Sequence, residues 1–160
     1  MLLLSLCALV VSADGGVVEI SPRDFYRRAL VAPVAVATAE QVRAWQKEKA
    51  VVVVDLRSKE QFAKQHLAGA INIPATELTD EVVRKLLPDR SARVVAYCDD
   101  QLMPTRRIAL TTLGVPSLRE LGYSRVLVLE NLWSRRDAKA GAPAARPGGL
   151  SFEGSGPARE

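Results

Sequence analysis

Apolar residues along this chain fall into short β-branched runs, and between the runs they recur every three or four positions. Val51 to Val54 is an uninterrupted β-branched run, the pattern of a strand buried on both faces of a parallel sheet. Val34 to Val36, Ala70 to Ile73, Arg93 to Tyr97 and Val126 to Leu129 read as four more strands. The intervening segments have helical spacing: Val42, Ala44 and Trp45; Val82, Val83, Leu86 and Leu87; Ile108, Leu110 and Leu113. Strands alternating with helices predict an α/β fold, a five-stranded parallel sheet flanked by helices on both faces with right-handed crossovers.

Polar punctuation sets the element boundaries. Thr38 with Gln41, and Ser58 with Gln61, fit capping boxes. Thr79 caps a helix whose first turn carries Asp80 and Glu81, and Pro88 ends it. His66 to Gly69 reads as a turn. Gly114 and Pro116 predict a break in the helix that starts at Arg106, with a second short helix from Ser117 to Leu121 capped by Gly122. Trp133 to Lys139 reads as a last short helix.

The ends have a different character. Residues 1–13 are apolar and uncharged, too short to span a membrane, and finish in small residues, as a signal peptide does. The usual positive opening is missing, which points to a start upstream of Met1. Residues 14–32 form an N-terminal extension with a short helix opened by Ser21-Pro22, residues 33–140 the folded domain, and residues 141–160 a disordered tail rich in Ala, Gly, Pro and Ser. Export predicts a periplasmic or secreted protein without a membrane span once the signal is removed. Cys7 leaves with the signal, so the mature chain holds one cysteine, Cys98.

Charge and composition narrow the chemistry. The net charge of +4 is scattered and nowhere interleaved with aromatic residues, so a nucleic-acid partner is not implied. One histidine and one cysteine cannot supply the three or four ligands of a zinc site, and no glycine-rich phosphate cradle is present. No cofactor is implied. What stands out is Cys98, at the carboxyl end of the fourth strand, where open α/β sheets bind ligands. It is followed by Asp99, Asp100, Gln101, Leu102, Met103 and Pro104, then by Arg106 and Arg107. A thiol there can become a nucleophile or remain a small buried hydrophobe.

Several motifs occur together: Val52-Val53-Val54-Asp55-Leu56-Arg57, then Glu60 and Phe62, then His66-x-x-Gly69-Ala70-x-Asn72-x-Pro74. Val94-x-x-Tyr97-Cys98 and Leu121-Gly122-Tyr123-x-x-Val126 follow. This combination resembles the rhodanese-like domain family across about residues 33–142. The resemblance implies that Cys98 is the catalytic residue. It would take sulfane sulfur from a small donor or a partner protein thiol, hold it as a persulfide and pass it to an acceptor. It also implies that residues 99–103 and Arg106 contact the substrate, with Asp55, Arg57 and His66 in support.

The loop departs from the family pattern. Active members have a compact C-x4-R loop, whereas here Arg106 gives C-x7-R, no glycine is present and Pro104 removes an N–H donor. Asp99 and Asp100 place two negative charges beside the sulfur, which opposes an anionic donor such as thiosulfate. The related phosphatase spacing, C-x5-R, fails because its arginine position is Pro104. Sulfur transfer or thiol handling through Cys98 therefore stands against a catalytically inactive rhodanese-like binding module, and against a thiol redox partner. From the residues alone, His66 fixes its turn by hydrogen bonds, and Asp55 and Arg57 pair with each other or cap local backbone.

Overall fold

Four β-branched valines force the backbone of residues 51–54 into an extended form, and everything else is laid beside them. The computed structural model describes residues 34–102, 109–132 and 149–155. The segments expected to form a signal peptide and an N-terminal extension, the helix expected at residues 133–139, and Met103 and Arg106 lie outside the described residues.

Strand β2 (Val52–Asp55) pairs in parallel with β5 (Val94–Tyr97) on one side and β4 (Ile71–Asn72) on the other. β5 in turn pairs with β6 (Val126–Leu129), and β6 with β1 (Ala35–Ala37), again in parallel. The order β1-β6-β5-β2-β4 makes β5 the central strand.

The side chains of a strand alternate between faces, so one sheet supplies two cores. Val54, Val94, Ala96 and Cys98 pack with Val83 and Leu87, from α3 (Asp80–Leu86) and its cap, and with Val115 and Leu118 of α5 (Thr111–Glu120). Val53, Val95 and Tyr97 pack with Val42 of α1 (Ala39–Lys47) and with Leu67, Leu129, Leu132 and Leu150. The predicted fold class is therefore the observed one.

Helices α1, α2 (Lys59–Lys64) and α3 start at the polar caps Thr38, Ser58 and Thr79. At α1 the box closes in both directions: the Gln41 N–H donates to Thr38 Oγ1 at 3.2 Å, and the Thr38 N–H donates to Gln41 Oε1 at 2.9 Å. At α2 only half forms, because the Gln61 N–H reaches Ser58 Oγ while the Gln61 side chain turns elsewhere.

Three expectations need correction. Gly114 and Pro116 do not break a helix; both lie inside α5. Gly114 is required there by proximity, since a Cβ at that position would lie 2.5 Å from Leu56 Cδ1. His66 and Leu67, expected in a turn, form β3 (His66–Leu67), which pairs antiparallel with β7 (Phe152–Glu153). Residues 149–155, expected in a disordered tail, thus fold back onto the domain, and Leu150 enters the second core. Its apolar side chain is what repays the ordering of that segment. The strap runs close to the backbone: Gly154 has φ +134°, and a Cβ there would meet the Lys64 carbonyl oxygen at 2.6 Å.

Candidate functional site

The carboxyl ends of β2 and β5 lie side by side, so residues 55–57 and 97–99 meet. Cys98 directly follows the central strand and has no exposed surface. By strand alternation its thiol joins Ala96 in the core under α3 and α5. Its backbone N–H donates to Gln101 Oε1 at 2.9 Å, and the Gln101 N–H donates back to the Cys98 carbonyl at 3.2 Å. This exchange winds residues 99–102 into the single turn α4 (Asp99–Leu102).

Asp55 and Arg57 are held by two residues' spacing and a shared pocket. Arg57 Nη2 lies 2.6 Å from Asp55 Oδ2, Arg57 Nε 3.0 Å from Oδ1, and the Arg57 backbone N–H donates to the same Oδ1 at 2.9 Å. Asn72 Nδ2 donates to the carbonyls of both residues, fixing the end of β2. Arg57 Nη2 also donates to the Gln65 carbonyl. Its guanidinium carbon stands 5.7 Å from the Tyr97 ring centroid, within range of a cation–π contact. Burial works against the Arg57 charge, but the hydrogen bond and charge of Asp55 outweigh it and raise its pKa. Burial also pushes the Tyr97 phenol well above its ordinary value, with the Asp55 charge adding to the effect. The Tyr97 hydroxyl accepts the Leu67 N–H at 3.0 Å.

Asp99 extends this network. Its Oδ1 stands 3.6 Å from Arg57 Nη1, and its Oδ2 accepts from Gln61 Nε2 at 2.8 Å. One of the two negative charges beside the cysteine is thus turned toward a guanidinium and an amide. Asp100 Oδ2 lies 3.4 Å from Gln101 Nε2. Leu102 packs against the second core. Asp99, Gln101 and Leu102, expected to contact the substrate, each also make contacts that hold the loop to the domain.

His66 Nδ1 is 2.8 Å from the Phe62 carbonyl, its ring stacks on Phe62 with centroids 3.7 Å apart, and Nε2 faces Glu153 of the strap at 3.6 Å. It does not reach Cys98's core. Gln61, Gln65, Asn72 and Tyr97 belong to the network although the sequence assigned none of them a place in it. Gln61 was legible only as a helix cap, and the Gln65 contribution is a carbonyl that side-chain identity cannot reveal.

A cleft of about 300 Å³ opens beyond the ends of β2 and β4, between Ser58, Gln61, Pro74, Thr76 and Leu110. Leu56 lines it and also packs in the cluster that holds Cys98. Among the described residues no three His, Cys, Asp or Glu side chains are grouped to hold a metal. Among them, too, no helix is long and apolar enough to cross a membrane.

The chain matches the model of the rhodanese-like domain over residues 38–135. It is 37% identical over 46 residues to thiosulfate sulfurtransferase PspE of Escherichia coli, covering 29% of this chain and 43% of that protein. It is 46% identical over 48 residues to the HTH-type transcriptional regulator Rv0324 of Mycobacterium tuberculosis, 30% of this chain and 20% of that one. The aligned part is thus less than half the length of either curated relative. Among solved structures, the rhodanese-like domain of Alr3790 from Anabaena sp. superposes with a TM-score of 0.54 at 19% identity, covering 80% of this chain and 85% of that one. The BH2092 protein of Bacillus halodurans gives 0.54 at 19%, covering 84% and 87%. The family-model match extends over more than half of the chain, and it shows that this chain belongs to the rhodanese-like domain family.

Proposed function

We propose that this protein is a sulfurtransferase of the persulfide type, with Cys98 as the carrier. The observation that supports this most is the position of Cys98 at the end of the central strand, with Asp99 drawn off toward Arg57 and Gln61. In the first step the Cys98 thiolate attacks the outer sulfur of a donor persulfide R–S–SH. A sulfur–sulfur bond forms at Cys98, the donor's breaks, and R–S⁻ leaves with the electron pair and takes up a proton. An acceptor thiolate then attacks the outer sulfur of the Cys98 persulfide in the same way, which regenerates Cys98 with no net oxidation.

Because its thiol is buried, Cys98 reacts only when the structure around it opens, so turnover is limited by opening. Asp100 beside it opposes thiosulfate, whose charge lies on the reacting group itself, more than an organic persulfide R–S–SH whose reacting sulfur is protonated. Intact-mass spectrometry after incubation with glutathione persulfide should record the gain of one sulfur atom, with a smaller gain from thiosulfate and none in Cys98→Ala. If neither donor adds sulfur to a chain whose Cys98 is alkylated by iodoacetamide under the same conditions, the proposal fails. The second reading, a catalytically silent binding module, draws on the complete burial of Cys98, and that outcome would support it.

A further inference from the structure

Parallel α/β sheets bind ligands at the carboxyl ends of their strands, so the opposite pole ordinarily contributes stability alone. Here that pole carries a cavity of about 520 Å³, within the range of small-molecule sites. It opens where β2 and β5 begin and where Arg125 leads into β6. Four residues of strand separate it from the Cys98 end, roughly 13 Å.

Its lining has two parts. The floor is apolar, built from Val51, Val52 and Leu87. On the rim, Leu86 leaves an exposed apolar side chain. The rim also carries three cations, Lys49, Arg93 and Arg125, none of which forms an ion pair with a carboxylate among the described residues. Lys49 is placed there by a left-handed turn, φ 53°, that ends α1. The guanidinium of Arg93 is fixed over the Trp45 ring, 4.1 Å from its centroid, with Nη1 near the Ala50 carbonyl. The one carboxylate in the lining, Asp89, already accepts from the Ser91 N–H at 2.8 Å and Ser91 Oγ at 2.6 Å. Three cations facing one carboxylate, Asp89, whose charge Arg125 helps to stabilise, leave an excess of positive charge at the mouth of an apolar floor, complementary to a molecule with one anionic end and a hydrocarbon body. Guanidinium favours a planar carboxylate there because its paired N–H groups match both oxygens.

We infer that this cavity is a second binding site, for an amphipathic organic carboxylate. Trp45 makes it testable. Trp133→Phe leaves Trp45 as the sole indole, and its emission reports contact at Arg93. Octanoate should change that emission saturably, with acetate and octan-1-ol binding at least tenfold more weakly. Lys49→Gln/Arg125→Gln should raise the octanoate Kd about tenfold or more, while Cys98→Ala leaves it unchanged. Titration calorimetry on the unsubstituted chain should return the same order of ligands. Octanol equal to octanoate, a response that does not saturate, or a Kd unmoved by the double substitution would each overturn the inference. None of these outcomes depends on sulfur transfer at Cys98.

Discussion

Asp55 has no exposed surface, so the protein must supply everything that water would have given its carboxylate. Arg57 supplies most of it, through side chain and backbone N–H together. Removing one member of a buried pair strands the other, which typically costs about 3–5 kcal/mol. Arg57→Ala should lose stability on that scale in urea denaturation, and it should also loosen Asp99, the residue beside Cys98. Tyr97 contributes a pH dependence of definite sign. Its folded pKa is raised, so below its unfolded value of about 10 both states hold the proton and the contribution is intact. Above pH ~10 the unfolded phenol ionises first, the unfolded state binds fewer protons, and stability falls as pH rises. Tyr123 is raised as well, so the comparison that isolates Tyr97 is Tyr97→Phe against the parent. The variant should have a shallower decline in urea midpoint between pH 9 and 11.

Helix α5 illustrates how packing overrides local signals. Gly114 and Pro116, two positions apart, argue for a break, yet the helix runs from Thr111 to Glu120. Residue 114 must be glycine because α5 packs on Leu56, the residue that follows β2, whose Cδ1 and Cγ would stand 2.5 and 3.3 Å from a Cβ. Leu56 is itself buried and has little room to turn aside. Gly114→Ala should therefore destabilise by about 1–3 kcal/mol despite alanine's better helix propensity. Adding Leu56→Val, which removes the atom in conflict, should recover part of the loss in thermal unfolding. Helix α2 makes the complementary point. Its Gln61 gives up half a capping box to bind Asp99, a partner 38 residues away.

At the scale of the whole molecule, the two faces of the sheet are closed differently. Helices α3 and α5 cover one, whereas the other relies on α1 together with the returning strap of residues 149–155. Leu150 and Phe152 lie against Leu67, and the Ser155 N–H donates to the Ala63 carbonyl at 2.9 Å. Ending the chain at residue 148 should lower stability by about 1.5–3 kcal/mol from Leu150 burial alone. Urea unfolding of the truncated chain checks this. Because β3 follows Gln65, whose carbonyl holds Arg57, the strap also braces the network next to Cys98.

Residue order alone determined the sheet, its parallel strands, the helix caps and the place of Cys98. Those features follow from β-branched runs, periodicities and short-range polar pairs that lie close together in the chain. The motif residues Asp55, Arg57, His66, Asn72 and Cys98 were legible through the resemblance to the rhodanese-like family. Only the tertiary structure decided where each side chain points. It turned Asp99 from the sulfur to Arg57, sank the Cys98 thiol into the core, continued α5 through Gly114 and Pro116, and drew the strap back onto β3. Each of these depends on which surfaces meet across the sheet, and a contact between residues tens of positions apart leaves no periodicity in the chain.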